Sequence, residues 1–285
     1  MSQTIHEAAE AFRQAVSTAT VGDLSFPTSL DASRRVLKAV ENPDLGMAAL
    51  AKIVVAEPLL SAKVIRLANS VALNPTNQTV RDVRHAVMRV GMDPIKGLAM
   101  VLIMDQLRQS HRHSGSRDIS NRLWERSVHI AALSYVLARK LTKLNADEAM
   151  FAGIVHDLGR FYLLSRLADF PVLLENSVVM AETINDLASH ATEMVLGELK
   201  LPASIVDAVL ASQQFSGSMP PASLSDLLFI AGVVSPRHDP FDELDARVIP
   251  LSNSGVALGL DQSTVSEVIA ASGDEIYSIV IALES

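Results

Sequence analysis

Cysteine is absent from the 285 residues. The chain therefore has no disulfide, no thiol nucleophile, no iron–sulfur cluster and no cysteine-ligated zinc. Long apolar runs are missing as well, because Leu98–Met104 and Leu227–Val234 fall far short of the ~18 residues that a membrane-crossing helix needs. We expect no membrane insertion, and the polar start of the chain shows no secretion signal, so a cytoplasmic location is expected.

Aromatic residues make up only 4% of the chain, and glycine (13) and proline (12) are few. Alanine, valine and leucine dominate instead, a composition typical of packed helices. The formal net charge is −8. Because phosphate recognition depends on basic charge, nucleic acid is not an expected partner.

Apolar residues recur at helical spacing along most of the chain, and no segment alternates as a half-buried strand would. This pattern predicts an all-α fold without a sheet. Helix starts are indicated by Pro58, by Asn145 as the first residue of a capping-box pattern, and by Thr79 as the cap of a helix over 80–90. A helix over about 119–142 is apolar on more than one side, which is typical of the middle of a bundle.

A polar, basic stretch with one glycine separates two apolar-rich halves of the chain. We predict an N-terminal helical lobe over residues 1–112 and a second helical lobe over 118–215. A C-terminal helical extension over 216–285 follows, with helices near 224–235 and 262–284. The predicted architecture is therefore a two-lobed helical bundle with an extension.

His156 is followed directly by Asp157 in the segment Ala152–Arg160. An imidazole nitrogen and a carboxylate oxygen can ligate the same divalent cation, but zinc, manganese or iron generally needs three or more protein ligands. Gly153 and Gly159 flank the pair and allow neighbouring backbone to approach closely. The residues alone leave two alternatives open: a partial metal site, or a hydrogen-bonded pair buried in a helix bundle.

This segment, with Leu123–Ser127 before it, resembles the HD phosphohydrolase superfamily and more specifically its HDOD branch, the HD-related output domain. The first half supports the resemblance through Phe26-Pro27, which would open a helix, and through the run Leu67-Ala68-Asn69-Ser70. The resemblance spans about residues 24–215. It implies an HD-like fold for the second lobe.

Catalytic members of the superfamily use a histidine, the His-Asp pair and a later aspartate to hold one or two metal ions. The resemblance places His156 and Asp157 at the pair but Arg126 where the first histidine would stand. A guanidinium offers only donors, so Arg126 cannot ligate a cation. His129 lies three residues further on and points about 60° away around a helix of ~3.6 residues per turn.

The resemblance therefore describes a degenerate site formed by Arg126, His129, His156 and Asp157. We expect Arg126 to form a bidentate ion pair with Asp157 where catalytic relatives place a metal. The alternative is a solvated Arg126, with His156 bonded to a nearby carbonyl. No catalytic residue and no cofactor is expected; a metal, if one binds, would be held by His156 and Asp157.

Four further residues are candidate contacts for a ligand or partner: Asn69, Ser70, Arg160 and His190. The Asn69-Ser70 pair is interpreted as a helix end with side-chain hydrogen bonds. His190 is placed at the start of a helix over 190–199 and interpreted as a cap or surface contact.

The resemblance implies a non-catalytic bacterial signal-transduction or regulatory protein that acts through protein contacts, or through a small ligand. It further implies a partner such as a histidine kinase, a response regulator or a cyclic-di-GMP enzyme. One alternative is a metal-dependent phosphohydrolase acting on a nucleotide or cyclic dinucleotide, with His129 or His190 completing the site. Another is a nucleotide-binding sensor that keeps the pocket without the chemistry.

Overall fold

The computed structural model describes residues 2–19, 31–110, 114–245 and 262–284, apart from 41, 43, 218 and 243. Within these residues the regular structure is helical and no strand occurs, so the all-α prediction is confirmed. The α-helices are α1 (Ser2–Ser17), α2 (Asp31–Val40), α3 (Met47–Val55), α4 (Pro58–Ala68), α5 (Val83–Val90), α6 (Met92–Ser110), α7 (Ser114–Leu141), α8 (Ala146–Val155), α9 (Leu158–Arg166), α10 (Ser177–Glu198), α11 (Ala203–Ala211), α12 (Leu224–Val234), α13 (Gln262–Ala271) and α14 (Gly273–Glu284).

Two predicted helix starts agree with the structure. Pro58 is the first residue of α4, where its missing N–H costs nothing. The Asn145 side chain accepts hydrogen bonds from the backbone N–H groups of Asp147 and Glu148, at 2.9 and 3.3 Å, and so caps α8.

The predicted cap of the fifth helix is wrong. Thr79 does not begin α5, because the next residue, Val80, is held outside the helix by its N–H, which donates to Asn69 Oδ1 at 2.8 Å. Asp82 is the cap instead, and its side chain accepts from the backbone N–H of His85 at 3.0 Å.

The predicted helix start at His190 is wrong as well. Asn176 caps α10, since its side chain accepts from the N–H groups of Val178 and Val179 at 3.1 Å. Neither proline nor glycine interrupts the chain from there until Gly197, so the helix runs through His190 without a break. His190 lies exposed within α10 and cannot cap it.

The long helix α7 is the centre of the bundle. It packs against α8, α12, α13 and α14, and it is buried on several sides, as its sequence predicts. A Cβ atom added to Gly153 of α8 would lie 2.6 Å from the Cα of Ala131, so only glycine allows these helices to approach so closely. Gly159 of α9 meets the backbone of Thr192 on α10 in the same way.

The C-terminal helices lie close to their predicted positions, and α14 packs on both α4 and α7. The buried Lys63 of α4 donates from Nζ to the backbone carbonyl of Leu283 at 2.7 Å. The α6 helix contacts α8 and α9, so the two predicted lobes share packing. Their division stays a prediction, and both its boundary near residue 112 and the helix start at Phe26-Pro27 lie outside the described residues.

Within the described ranges, we find no helix with the length and hydropathy required to cross a bilayer.

Candidate functional site

His156 and Asp157 occupy the turn between α8 and α9. His156 follows the last residue of α8, and Asp157 precedes the first residue of α9. The two tight glycine contacts hold this turn between α7 and α10. The pair therefore sits at a junction of four helices rather than within one helix.

The side chain that faces the pair is Arg126 of α7. Its Nη1 lies 3.0 Å from His156 Nε2 and 3.3 Å from Asp157 Oδ2. Only 5% of the Arg126 side chain and 4% of the Asp157 side chain are exposed. The guanidinium is thus a buried ion-pair partner of Asp157 rather than a solvated group. It contacts Asp157 through one nitrogen, Nη1, which also lies against His156, so the expected bidentate geometry is wrong.

The hydrogen bonds of His156 fix the orientation of its ring. Nδ1 lies 2.7 Å from the carbonyl oxygen of Gly153 and donates to it. The other ring nitrogen, Nε2, lies 3.0 Å from Arg126 Nη1 and 2.9 Å from Asp157 Oδ2. Ser127 also donates to that carboxylate oxygen, at 3.2 Å. The second expected feature, a bond from His156 to a carbonyl, is therefore present together with the ion pair.

A second buried ion pair joins the first. Arg160 of α9 contacts Asp239 through Nη1, and the same nitrogen lies 3.5 Å from Asp157 Oδ1. Arg126 Nη1 is 3.9 Å from Asp239 Oδ2. Two arginines and two aspartates thus form one neutral group, which we call the four-charge cluster (Arg126, Asp157, Arg160 and Asp239).

Asp239 belongs to a segment of the C-terminal extension that covers the cluster, which we call the 235–245 segment. Phe241 is completely buried, and its ring centroid lies 5.4 Å from the Arg160 guanidinium carbon. Arg160 also donates to Asn185 Oδ1, and Asn185 Nδ2 donates to Asp245 Oδ2, each at 3.2 Å. These partners were not identified from the sequence, since none stands in a motif with the His-Asp pair.

The charges of the cluster determine the ionisation of its acids. Burial alone raises the pKa of Asp157, but His156, Arg126 and Arg160 outweigh it and hold that pKa well below its ordinary value. Asp239 behaves in the same way, because Arg160 and Arg126 outweigh its burial and lower its pKa. The pKa of Asp242 shifts the other way: burial and the charge of Asp239 raise it to about 6.

The residues present do not fit a metal centre. The described ranges hold no group of three or more histidine, aspartate or glutamate side chains placed to bind a metal ion. His156 Nε2 and Asp157 Oδ2, the two atoms best suited to ligate, both face the Arg126 guanidinium. A cation bound between them would lie against a permanent positive charge.

The other two candidate histidines do not complete the site. His129 Nδ1 lies 2.7 Å from the carbonyl of Glu125, one turn earlier in α7, and donates to it. His190 is exposed on α10. Neither histidine contacts His156 or Asp157 through any bond that we observe among the described residues.

Asn69 and Ser70 lie elsewhere, at the end of α4. Asn69 Nδ2 donates to the carbonyls of Ile65 and Val80, at 3.0 and 2.7 Å, and this ties the end of the helix to the chain before α5. Ser70 is buried, and its Oγ has no hydrogen-bond partner within the described residues. The Asn69 contacts match the helix-end interpretation.

Solved structures with the same fold come from several bacteria. A candidate metal-dependent phosphohydrolase from Shewanella amazonensis SB2B has a TM-score of 0.75 at 20% identity, over 99% of this chain and 100% of its own. An HDOD domain protein from Geobacter sulfurreducens has a TM-score of 0.59 at 17% identity, over 100% and 99%. A candidate signal transduction protein from Marinobacter aquaeolei VT8 has a TM-score of 0.60 at 19% identity, over 99% of this chain and 65% of its own.

At these identities the likeness establishes a shared fold. A search among proteins with curated descriptions finds no match. The family model of the HDOD domain matches residues 26–215, which is more than half of the chain and agrees with the span expected from its motifs. The chain therefore belongs to the HDOD family.

Proposed function

We propose that this protein is a non-catalytic regulatory member of a bacterial signalling pathway and that it acts by contacting other proteins. Membership of the HDOD family supports a regulatory role. The observation that carries the non-catalytic part is the position of Arg126, whose Nη1 lies 3.0 Å from His156 Nε2 and 3.3 Å from Asp157 Oδ2.

The charge balance of the four-charge cluster supports this proposal. A hydrolytic metal centre requires ligands with unshared electron pairs and an open position for water. In the cluster, two guanidinium groups neutralise two carboxylates, and both carboxylates are almost completely buried. Both carboxylates are therefore already paired with arginine side chains of the protein, which stay positively charged.

The covering of the cluster supports the proposal as well. The 235–245 segment places Asp239 against Arg160 and packs the fully buried Phe241 over the same guanidinium. Only 4% of the Asp157 side chain is exposed, so a phosphate ester could reach this carboxylate only if the side chains around it moved. The cluster instead connects the extension to α7 and α9 through Asp239.

The fold neighbours carry names of both kinds, a phosphohydrolase and a signal transduction protein. Fold alone does not decide between them, because function depends on the residues of the site. The donor set favours the signalling role. Histidine kinases, response regulators and cyclic-di-GMP enzymes remain the proposed partner classes, in a cytoplasmic setting.

The metal content of the untreated protein, measured together with its phosphatase and phosphodiesterase activity, tests the proposal. We expect manganese, iron and zinc far below one equivalent, and no turnover that depends on Asp157. Asp157→Asn is the variant and Asp207→Asn, on the exposed side of α11, is its matched control. Near-stoichiometric metal, with turnover that Asp157→Asn abolishes and Asp207→Asn leaves intact, would favour the phosphohydrolase instead.

A further inference from the structure

The outer sides of α4 and α14 carry an unusual share of the exposed apolar side chains. Seven large apolar residues are exposed among the described residues, and four of them lie here: Leu59, Val71, Tyr277 and Ile281. Leu59 is 68% exposed and Tyr277 is 67% exposed. Monomeric proteins rarely leave such side chains together in water, so this surface, which we call the α4–α14 face, indicates an interaction site.

The exposed side chains of the α4–α14 face form one row on each helix. Within a row they recur three or four residues apart, which places them on the same side of the helix. The row of α4 consists of Leu59, Ala62 and Arg66, and the row of α14 consists of Asp274, Tyr277, Ile281 and Glu284. Residues of both rows, among them Arg66 and Tyr277, line a groove of about 650 Å³ that is open to solvent.

This groove offers a small polar ligand little to bind. Both ends of the Asn69 amide are already bonded to the backbone, Ser278 donates to a carbonyl of its own helix, and Ser70 Oγ is buried beneath the surface. The Tyr277 hydroxyl forms no hydrogen bond that we observe among the described residues. Tyrosines are common in protein interfaces, where the ring packs and the hydroxyl stays at the polar edge.

The charges of the α4–α14 face are divided between its two helices. Arg66 is the cation of the α4 row, and Asp274 and Glu284 are the acids of the α14 row. None of these three side chains takes part in an ion pair that we observe within the described part of the chain. The face is therefore positive along one helix and negative along the other.

The two helices run antiparallel. Lys63, in the first half of α4, donates to the carbonyl of Leu283 near the end of α14. Beyond the end of α4, the carbonyl of Ala72 accepts from Arg139, which also contacts Glu275 near the start of α14. Arg66 therefore lies beside the middle of the α14 row, with one acid of that row towards each end.

We propose that the α4–α14 face binds a second copy of this chain, in a symmetric dimer whose two-fold axis runs along the groove. This axis lays the α4 of each copy on the α14 of the other, so Arg66 faces an acidic row and the apolar residues leave water. An axis across the groove would lay α4 on α4 and α14 on α14, which sets like charges against each other. Two-fold dimers are the commonest assemblies of identical chains.

The proposed dimer goes beyond the proposed function and would stand even if the protein proved to be a hydrolase. One half of the face belongs to the part of the chain that matches the HDOD family, and the other half belongs to the C-terminal extension. Dimerisation therefore requires the extension to be docked on α4, and it stabilises that docking in return.

Light scattering after size-exclusion chromatography and sedimentation velocity of the full chain test the proposal. We expect a reversible equilibrium at micromolar concentration, in which the fraction with twice the mass of the chain rises with protein concentration. A protein that stays monomeric up to millimolar concentration would overturn the proposal and leave the α4–α14 face to a different protein.

An aspartate at Ile281 tests whether this face makes the contact. Ile281→Asp places a charge at an apolar position of the face and should weaken dimerisation about tenfold or more. Val178→Asp is the matched control, because Val178 is an exposed aliphatic residue of α10, outside the face, and it should leave the dimer unchanged. A dimer that both variants leave intact would use another surface, contrary to the proposal.

Reversed charges test the orientation of the two copies. Arg66→Glu sets an acid against the acidic row, and the double variant Asp274→Lys with Glu284→Lys sets lysines against Arg66. Each of these two proteins alone should dimerise about tenfold more weakly or worse. An equimolar mixture should dimerise again, because both contacts of the mixed dimer then join opposite charges. Failure of the mixture to recover the dimer would overturn the two-fold arrangement.

The mixture also separates a lost contact from a lost fold, because misfolded chains would not regain the dimer when combined. All substituted side chains are exposed, so the circular dichroism spectrum of each variant should match that of the parent protein. Recovery of the dimer in the mixture, with no dimer in either protein alone, is the result expected only if Arg66 of one copy meets the acids of the other.

Discussion

Arg126 Nη1 on α7 lies 3.3 Å from Asp157 Oδ2 at the start of α9, and fewer than one tenth of either side chain is exposed. For an ion pair buried to this degree, making the pair and breaking it have unequal effects on the free energy of unfolding. The intact pair adds little to stability, because the cost of removing both charges from water offsets their attraction. Loss of one partner is strongly destabilising, because the other charge stays buried without a counter-charge.

Arg126→Ala should therefore destabilise the protein by about 3–5 kcal/mol, since it leaves Asp157 and part of the charge of Asp239 without a cation. The free energy of unfolding in urea measures the effect. Arg117→Ala, an exposed arginine of the same helix, is the matched control and should stay within about 0.5 kcal/mol of the parent protein. Equal stability of the two variants would mean that the cluster does not hold the fold together.

The sequence pointed to three of the four cluster residues, but only Arg126 and Asp157 were expected to pair. Both stand in motifs that resemble a known family, whereas Arg160 was named only as a candidate contact for a ligand or partner. Asp239 lies 79 residues beyond Arg160, and no local pattern links the two. Its place against Arg160 depends on how the chain after α12 folds back, which only tertiary packing determines.

Gly159→Ala should destabilise the protein by about 1–3 kcal/mol, because a Cβ at this position would meet the backbone of Thr192, which cannot move independently of α10. Gly197→Ala is the matched control. It adds the same methyl group near the end of α10, where nothing lies within 4 Å, and it should stabilise the protein by about 0.5–1 kcal/mol. Thermal and urea unfolding should show a lower free energy of unfolding than the parent protein for Gly159→Ala and a higher one for Gly197→Ala.

Helix starts can be predicted from the sequence where the signal that sets them is local. Proline at Pro58 and the Asn145 cap act locally, so the sequence alone was sufficient to place them. Thr79 failed as a cap because a distant side chain, Asn69, binds the next residue and keeps it out of the helix. His190 does not begin a helix because α10 starts thirteen residues earlier, at Ser177, directly after its cap Asn176.

Lys63→Met should change how stability depends on alkaline pH. Burial lowers the pKa of Lys63 from 10.5 to about 8. Between these values the unfolded chain keeps a proton that the folded protein has lost, so this lysine makes the protein more stable as pH rises from about 8 to 10.5.

We would measure the free energy of unfolding of the parent protein and of Lys63→Met from pH 7 to 10. The difference between the two isolates the effect of Lys63 on the pH dependence of stability. We expect the difference to shift in favour of the parent as pH rises. Lys52→Met, an exposed lysine of α3, should show no such trend. A flat difference for Lys63→Met would contradict a buried lysine held by the carbonyl of Leu283.

Asp242→Asn should stabilise the protein at neutral pH. Burial and the charge of Asp239 raise the pKa of Asp242 to about 6, with Arg160 and Arg126 opposing the shift only in part and Asp157 adding to it. Between about pH 4 and 6, the folded protein holds a proton on Asp242 that the unfolded chain has already released. The contribution of Asp242 to the free energy of unfolding therefore falls as pH rises through that window. Above pH 6 the carboxyl is charged in both states, and its unfavourable effect on stability no longer changes with pH.

Asparagine cannot acquire that charge, so Asp242→Asn should exceed the parent protein in stability at pH 7, and the advantage should disappear below about pH 4. Urea unfolding at pH 4, 5, 6 and 7 measures the advantage, and the exposed Asp207→Asn serves as control. An advantage that grows on acidification would contradict the raised pKa. A loss of stability at pH 7 would instead mean that the negative charge of Asp242 helps to hold the 235–245 segment over Arg160.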